Sequence, residues 1–398
     1  MGCRSPGTAE ILRELSAASP PDTLRPVHRT SLERALERID VLARRFPSGF
    51  PSGHGNGNRY QRADNVEWTP AFWVGLLWLA YQQTGDHEFR RRAEALIPSF
   101  AARLDAGGAG ANTHDLGFLY TLSCVAAWRL TGSTTARCLA IRAADALATR
   151  YWPAARIVQA WGALDDPGER GRFIIDSTMN MPLLFFAAAE TGRPEYREIA
   201  VNHLDQCARL LVRPNGSTAH TCFVDVETGR QLRVQTEQGL SNESCWARGQ
   251  AWGIYGFALA YRCTREERFR EASRAIADYF AAHVLPDGIC AWDLDLGAAD
   301  APERDTSAAA IAASGLLELS NLLGPDDPDR ERLHDAAGAV ISALTAGYLI
   351  ADPVDDGILR GAVCHRPQGR GVNECCLWGD YFYVEALARR RPAWSSFW

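Results

Sequence analysis

Apolar and polar positions along this chain alternate in blocks. Five times an almost wholly apolar stretch ends in a short turn and an Arg/Glu-rich amphipathic stretch follows. These are LAYQQTGDHEFRRR (79–92), AAWRLTGSTTARCLAIR (126–142), AAAETGRPEYREIA (187–200), LAYRCTREERFREA (259–272) and LSNLLGPDDPDRERL (319–333). A helix that is apolar all round is buried all round, whereas an amphipathic one covers a core with one face. Glycine at the turn supplies the left-handed residue that closes a helix. Asp, Ser, Thr or Pro then opens the next one.

The pattern predicts apolar helices over about 68–84, 115–131, 178–191, 247–263 and 305–322, each followed by an amphipathic partner over about 87–104, 134–150, 194–212, 266–283 and 329–348. An amphipathic Ser31–Phe46 and an apolar Trp378–Ala388 complete twelve. Six buried and six half-exposed helices in alternation fit two concentric rings, an (α/α)6 barrel. The turns, at positions 85, 132, 192, 265 and 324, are unevenly spaced. A solenoid would repeat more evenly. The expected organisation is a flexible extension over 1–27 and one catalytic domain over 28–398.

Long Gly-, Pro- and polar-rich connections precede the inner helices (47–67, 151–177, 213–246, 284–304, 349–377), with strand-like pieces at His220–Asp225 and Gln231–Gln235. If the inner helices run parallel, these connections share one face with the positive ends of the helix dipoles, a setting for function and for an anionic ligand.

Composition removes several alternatives. There is no lysine among the 398 residues, which excludes a Schiff-base lysine and a P-loop lysine. The net charge of −6 and the absence of long basic runs speak against a nucleic-acid partner. No apolar run reaches transmembrane length, and the N-terminus has no signal-peptide pattern. Eleven cysteines without a C-x-x-C suit a reducing cytosol, so a cytoplasmic protein is expected. Twelve Trp are available to stack on sugar rings or to fill the core.

The inner helices open with acids or aromatics. Asp305 and Asp380 read as helix caps. Asp115, preceded by His114, and Asp176, in GRFIIDSTMNMPLLFFAAAETG, stand at the mouths of helices too apolar for surface duty and read either as caps or as a working acid–base pair. Two carboxylates facing one cavity repel, raising the pKa of one. Arg248 and Trp252 share a helix face in SCWARGQAWGIYGFALAY, and an Arg there needs an internal Asp or a ligand carboxylate. Trp68, Trp73, Trp161 and Trp252 are candidates for sugar stacking, with core packing the better reading of Trp73. No His/Cys/Asp spacing resembles a zinc site, and no Gly-rich loop follows a strand.

The motifs EWTPAFWVGLLWLAYQQTGD, HDLGFLY, IIDSTMNMPLLFFAAAETG, SCWARGQAWGIYGFALAY and WGDYFYVEAL, in this order, resemble the unsaturated glucuronyl hydrolases of glycoside hydrolase family 88 over about residues 30–390. The resemblance implies an (α/α)6 barrel acting on lyase-generated oligosaccharides with a 4,5-unsaturated uronic acid at the non-reducing end. It implies that Asp176 is the general acid/base and Asp115 the second essential carboxylate. It also implies that His114, Trp161, His220, Gln238, Arg248 and Trp252 contact substrate; Trp68 is a further substrate-binding candidate from its place at the mouth of an inner helix. No metal or organic cofactor is implied. Some relatives hold a substrate sulfate with Ser and Lys just before WGDY. Here GAVCHRPQGRGVNECCL has neither, leaving Arg366 and Arg370 as substitutes or an unsulfated substrate, the favoured reading. A monomer or weak homo-oligomer is expected. The alternatives are an unsaturated rhamnogalacturonyl hydrolase, a conventional two-carboxylate glycosidase, a sugar epimerase and an inactive sugar-binding barrel.

Overall fold

The computed structural model describes residues 21–300, 302–392 and 394–398. Of the expected extension over 1–27, positions 1–20 lie outside the described residues. From Pro21 the backbone is helical, so the first helix, α1 (Pro21–Arg45), starts well before the expected Ser31. The others are α2 (Pro70–Thr84), α3 (His87–Ala106), α4 (116–131), α5 (Thr134–Ala148), α6 (Pro182–Thr191), α7 (Pro194–Leu211), α8 (Ala247–Thr264), α9 (Glu267–Ala282), α10 (Thr306–Leu322), α11 (Pro328–Gly347) and α12 (Leu377–Ala388). The even-numbered helices touch in sequence, and α12 packs back on α2, closing an inner ring. The odd-numbered ones lie outside, making an (α/α)6 barrel.

Burial follows the block pattern. Every residue of α2 from Pro70 to Ala80 is buried, as is every residue of α8 from Ala247 to Ala260. In outer helix α9 the buried positions Phe269, Ser273, Ile276, Ala277 and Phe280 recur at the three-to-four spacing of one face. Among the described residues no helix is long and apolar enough to cross a membrane.

The turns behave as expected at Gly85, Gly132 and Gly192, with φ of 72°, 70° and 72°. At the fourth turn Arg265 takes the left-handed conformation, with φ 59°. At the fifth the chain leaves α10 through an extended Leu323 (φ −79°, ψ 148°), so the glycine-closure expectation fails there.

Two inner helices depart from regularity. Helix α4 is built from Leu116–Tyr120, a π turn at Thr121–Val125, and Ala126–Thr131. Trp78 Nε1 donates to the Ser123 carbonyl at 3.2 Å, giving that carbonyl a partner from outside its helix, as insertions into the ladder do. Helix α6 starts at Pro182, later than the expected 178. Ile175–Met179 forms a 3₁₀ turn instead. Ser177 and Thr178 hydroxyls donate back to the carbonyls of Ile174 and Ile175, offering that backbone an alternative to the helix, and Pro182 suits the first helical turn because it has no N–H to satisfy.

Among the described residues, the connections before the inner helices carry all the strands. They hold hairpins β1 (Phe50–Pro51) with β2 (Arg62–Ala63), β3 (Tyr151–Trp152) with β4 (Ile157–Val158), and β8 (Ala362–His365) with β9 (Arg370–Glu374). A three-stranded antiparallel sheet runs β5 (Arg172–Ile174), β6 (Thr221–Val224), β7 (Gln231–Gln235), with Cys222 opposite Phe173 and Val234. The connections also bond to one another: Thr113 bridges Trp161, Trp246 bridges Asp293 and His54 bridges Cys376. One end of the barrel is therefore a continuous collar.

The opposite end is closed by a buried ionic floor. Arg389 donates to Glu385 at 3.0 Å and to Glu318 at 2.7 Å, and Arg262 donates to Glu318 at 2.9 Å. Trp398 Nε1 donates to Glu385 at 2.9 Å, while its ring stacks on Phe382 at 6.0 Å between centroids.

Candidate active site

Asp176 sits on the 3₁₀ turn between β5 and α6, under the collar. It caps nothing, since α6 begins beyond Met181. Its Oδ1 is withdrawn from solvent and has no hydrogen-bond partner among the described residues. Burial raises its pKa from 3.8 to about 7, Arg248 opposes that rise, and Asp115 adds to it. The expected mutual repulsion of the carboxylates is therefore present, but burial is the larger cause.

Asp115 stands at the N-cap position of α4 yet makes no capping bond. Instead Thr113 Oγ1 donates to its Oδ2 at 2.8 Å, and His114 Nε2 lies 3.4 Å from its Oδ1. His114 is buried, with Nδ1 3.4 Å from the Asn180 amide nitrogen. These neighbours place the proton on Nε2: Nδ1 accepts from Asn180 and Nε2–H points to Asp115. Burial lowers the pKa of His114, so the ring is neutral at pH 7.

Asn180 holds the two halves together. Its Oδ1 accepts from Phe118 N–H at 2.8 Å, and its amide also lies 3.4 Å from the Asp176 carbonyl. It is the one strongly polar residue of the run 179–189. That signal marked it as unusual but not as the link between the acid-bearing segments.

His220 is buried and stacks on Trp246 at 4.4 Å. Its Nδ1 accepts from Glu237 N–H at 3.2 Å, leaving Nε2 to carry the hydrogen. Burial, then Arg248, lowers its pKa to about 3. Trp161 is half-buried, and Arg172 lies between Trp161 and Phe223, 4.8 Å from each ring. Trp68 is half-buried against Trp378, 5.0 Å away.

Arg248 resolves toward internal pairing. It is 2% exposed, lies between Trp246 (4.6 Å) and Trp378 (5.1 Å), and meets Asp305 at 3.4 Å. It also donates to the carbonyls of Val363 and Cys364. Gln238 Nε2 donates to the same Cys364 carbonyl at 2.7 Å, so both residues fasten the β8–β9 hairpin over the site. A positive charge still reaches Asp176 and His220 from this position.

Two expectations are corrected, for Trp252 and Asp380, while the cap reading of Asp305 holds. Trp252 has 0% exposure and packs on Phe118 (5.2 Å) and Phe382 (5.3 Å), so it floors the site and presents no free ring face to a sugar. Asp305 does cap α10, through Ser307 and Ala308 N–H, while also pairing with Arg248. Asp380 is no cap: α12 opens at Cys376, and the Asp380 carboxyl accepts from Leu359 N–H and Tyr60 Oη, both at 2.8 Å. Arg366 and Arg370 lie at the turn end of the hairpin, Arg366 paired to Glu303 at 3.0 Å and Arg370 exposed at the start of β9. Trp73 is core, 1% exposed.

A separate cavity of about 550 Å³ opens at the barrel's other end, near Trp128, Phe185 and Cys263. Its arginines are already engaged, Arg193 by Asp145 and Arg129 and Arg262 by the Trp398 backbone oxygen. Asp115, Asp176, His114 and His220 are all on the collar side.

Residues 39–324 match the sequence model of Glycosyl Hydrolase Family 88. The chain is 41% identical over 366 residues to the unsaturated glucuronyl hydrolase of Bacillus sp. (strain GL1), spanning 91% of this chain and 97% of the relative. It is 40% identical over 370 residues to the unsaturated chondroitin disaccharide hydrolase of Streptococcus pyogenes serotype M1, spanning 92% of each. The crystal structure of unsaturated glucuronyl hydrolase from Streptococcus agalactiae superposes with a TM-score of 0.90 at 38% identity, covering 94% of each chain.

Proposed function

The chain belongs to glycosyl hydrolase family 88, and on that premise we propose that it removes a 4,5-unsaturated uronic acid from the non-reducing end of lyase-generated, glycosaminoglycan-type oligosaccharides by hydrating the C4=C5 bond. One catalytic domain carries the reaction. The observation that supports it most is Asp176: a half-buried carboxyl whose Oδ1 is withdrawn from solvent without a partner among the described residues, with a pKa raised to about 7, which holds a proton near neutral pH and can release it.

In this reading the Asp176 carboxyl gives its proton to C4, and positive charge develops at C5 and the ring oxygen. Asp176, now a carboxylate, takes a proton from the water that adds at C5. The hemiketal so formed opens, the bond to the leaving sugar breaks, and a keto-uronate departs. Asp115, held by Thr113 and facing His114, binds sugar hydroxyls and biases Asp176 toward its protonated form. His220 offers Nε2–H to the substrate, and the half-buried Trp161 and Trp68 flank it. Arg248 and the inner-helix N-termini supply positive potential for the uronate, Arg248 from behind the Cys364 carbonyl.

The test is loss of the ultraviolet absorbance of unsaturated chondroitin, hyaluronan and heparin disaccharides, because hydration destroys the conjugated double bond. Decay with at least one, fastest for an unsulfated disaccharide, is expected. Decay only with unsaturated rhamnogalacturonan disaccharide would move the chain to the sister activity, cleavage of saturated uronides would point to a conventional glycosidase, and binding without turnover to an inactive barrel.

A further inference from the structure

Behind Asp176 lies a buried polar group that the reaction does not use. His203, on outer helix α7, is 0% exposed. Its Nδ1 accepts from Val158 N–H on β4 at 3.0 Å, and its Nε2 lies 2.7 Å from Ser177 Oγ, with the Cys207 thiol 3.4 Å from the same nitrogen. Ser177 directly follows Asp176, and its hydroxyl donates to the Ile174 carbonyl, across the turn that carries the acid.

The direction of these bonds is determined. Val158 N–H can only donate, so Nδ1 carries no hydrogen and the imidazole must be the Nε2–H tautomer. Nε2–H then donates to Ser177 Oγ, and the serine proton is left for Ile174. Protonation would set two N–H groups against each other at Nδ1. Burial and the neighbouring His114 act in the same sense, lowering the His203 pKa to about 3. Val158 in turn leads through Ala160, whose carbonyl accepts from His114 N–H at 2.5 Å, to Trp161.

We propose that His203 is a positioning residue: its Nε2–H, through Ser177, locks the turn that aims Asp176, and its Nδ1, by accepting from Val158 N–H, fixes the tautomer that makes this donation. The proposal rests on Asp176 being the acid/base of the proposed reaction.

Two isosteres separate the halves of this brace. In His203→Gln the amide nitrogen stands where Nε2 does and keeps the donation to Ser177. In His203→Asn the amide oxygen can take Val158 N–H but does not reach Ser177. On unsaturated chondroitin disaccharide, H203Q is expected to keep kcat within about threefold, whereas H203N loses roughly 10- to 100-fold in kcat with KM within about twofold, the scale of a small misplacement of a reacting group. Ser177→Ala cuts the same link, so it should match H203N, and the H203N/S177A double variant should lose no more than either single one. S177A carries the test if the His203 variants do not fold. Equal losses in H203Q and H203N, a KM rise in step with the kcat loss, full kcat in S177A, or multiplicative losses in the double variant would each overturn the brace. If the unsubstituted protein hydrates no unsaturated disaccharide, the proposed reaction has failed instead. The brace is then decided by long-range ¹H–¹⁵N spectra of histidine-labelled protein, with the His203 signal identified by its absence in H203Q. A neutral Nε2–H ring from about pH 5 to 8 supports it, and an Nδ1–H or doubly protonated ring overturns it.

Discussion

Gly117 lies so close to Asn180 that a Cβ on the glycine would stand 2.3 Å from the asparagine Cα and 2.4 Å from its carbonyl oxygen. The obstacle is backbone, which cannot swing aside as a flexible side chain would. Gly117→Ala therefore has to push α4 and the Asp176 turn apart, stretching the Asn180 bonds to Phe118 and His114. We expect a stability loss of about 1–3 kcal/mol, typical of overpacking, and a fall in kcat larger than that stability loss accounts for at assay temperature. Thermal melts and steady-state rates on the same preparation check both.

Asp176→Asn should fold, bind the unsaturated disaccharide and lose roughly 10²–10⁴-fold or more in turnover, the range for removing a positioned general acid. Binding is measured by calorimetry and turnover by the absorbance decay. A variant retaining a tenth or more of the kcat would remove Asp176 from the role of acid.

The raised pKa of Asp176 has a definite sign for stability. Between about pH 4 and 7 the unfolded chain gives up a proton that the folded chain keeps, so stability falls as pH rises through that window. Asp176→Asn removes this cost. The variant should match the unsubstituted protein near pH 4 and exceed it by an amount of the order of a few kcal/mol above pH 7, read from denaturant melts across the range. Asp380, whose pKa burial also raises to about 7, contributes equally to both proteins and cancels in the difference. Turnover by the protonated acid should likewise decline as pH rises through about 7.

Arg248→Met keeps the bulk between Trp246 and Trp378 but leaves Asp305, which is 0% exposed, without its cation. Breaking a buried pair from one side costs about 3–5 kcal/mol. Adding Asp305→Asn should recover part of that loss, because asparagine still caps α10 and carries no charge. Denaturant midpoints of the two single variants and the double variant measure the coupling, and KM should rise in all three as the hairpin loosens.

The ring architecture was legible because burial on all sides and burial on one side leave different marks on a linear pattern, and α2 and α9 show the two marks plainly. Local competition was harder to read. Nothing in a hydropathy pattern says that Ser177 and Thr178 will turn their hydroxyls back on the chain and delay α6 to Pro182. The acid itself stood out as a lone charge before an apolar run. His203 did not, since a histidine on an amphipathic helix looks like any other until β4 and Ser177 are brought to its two nitrogens from 45 and 26 positions away. The ionic floor was equally hidden: Glu318, Glu385, Arg262 and Arg389 each end an apolar helix, and only the closed ring makes them neighbours.

That closure has a consequence for how the protein acquires its activity. Tyr60 and Asp380 meet across 320 residues of chain, and the collar is stitched by other pairs nearly as distant, including Gly57 with Glu374. Loops of that length are closed late, after the local helical hairpins have formed, because their entropy must be met before the contacts reward it. In a refolding experiment the helical signal should return first and hydration of the double bond last. Catalysis then serves as the clock for the moment the two ends of the barrel join.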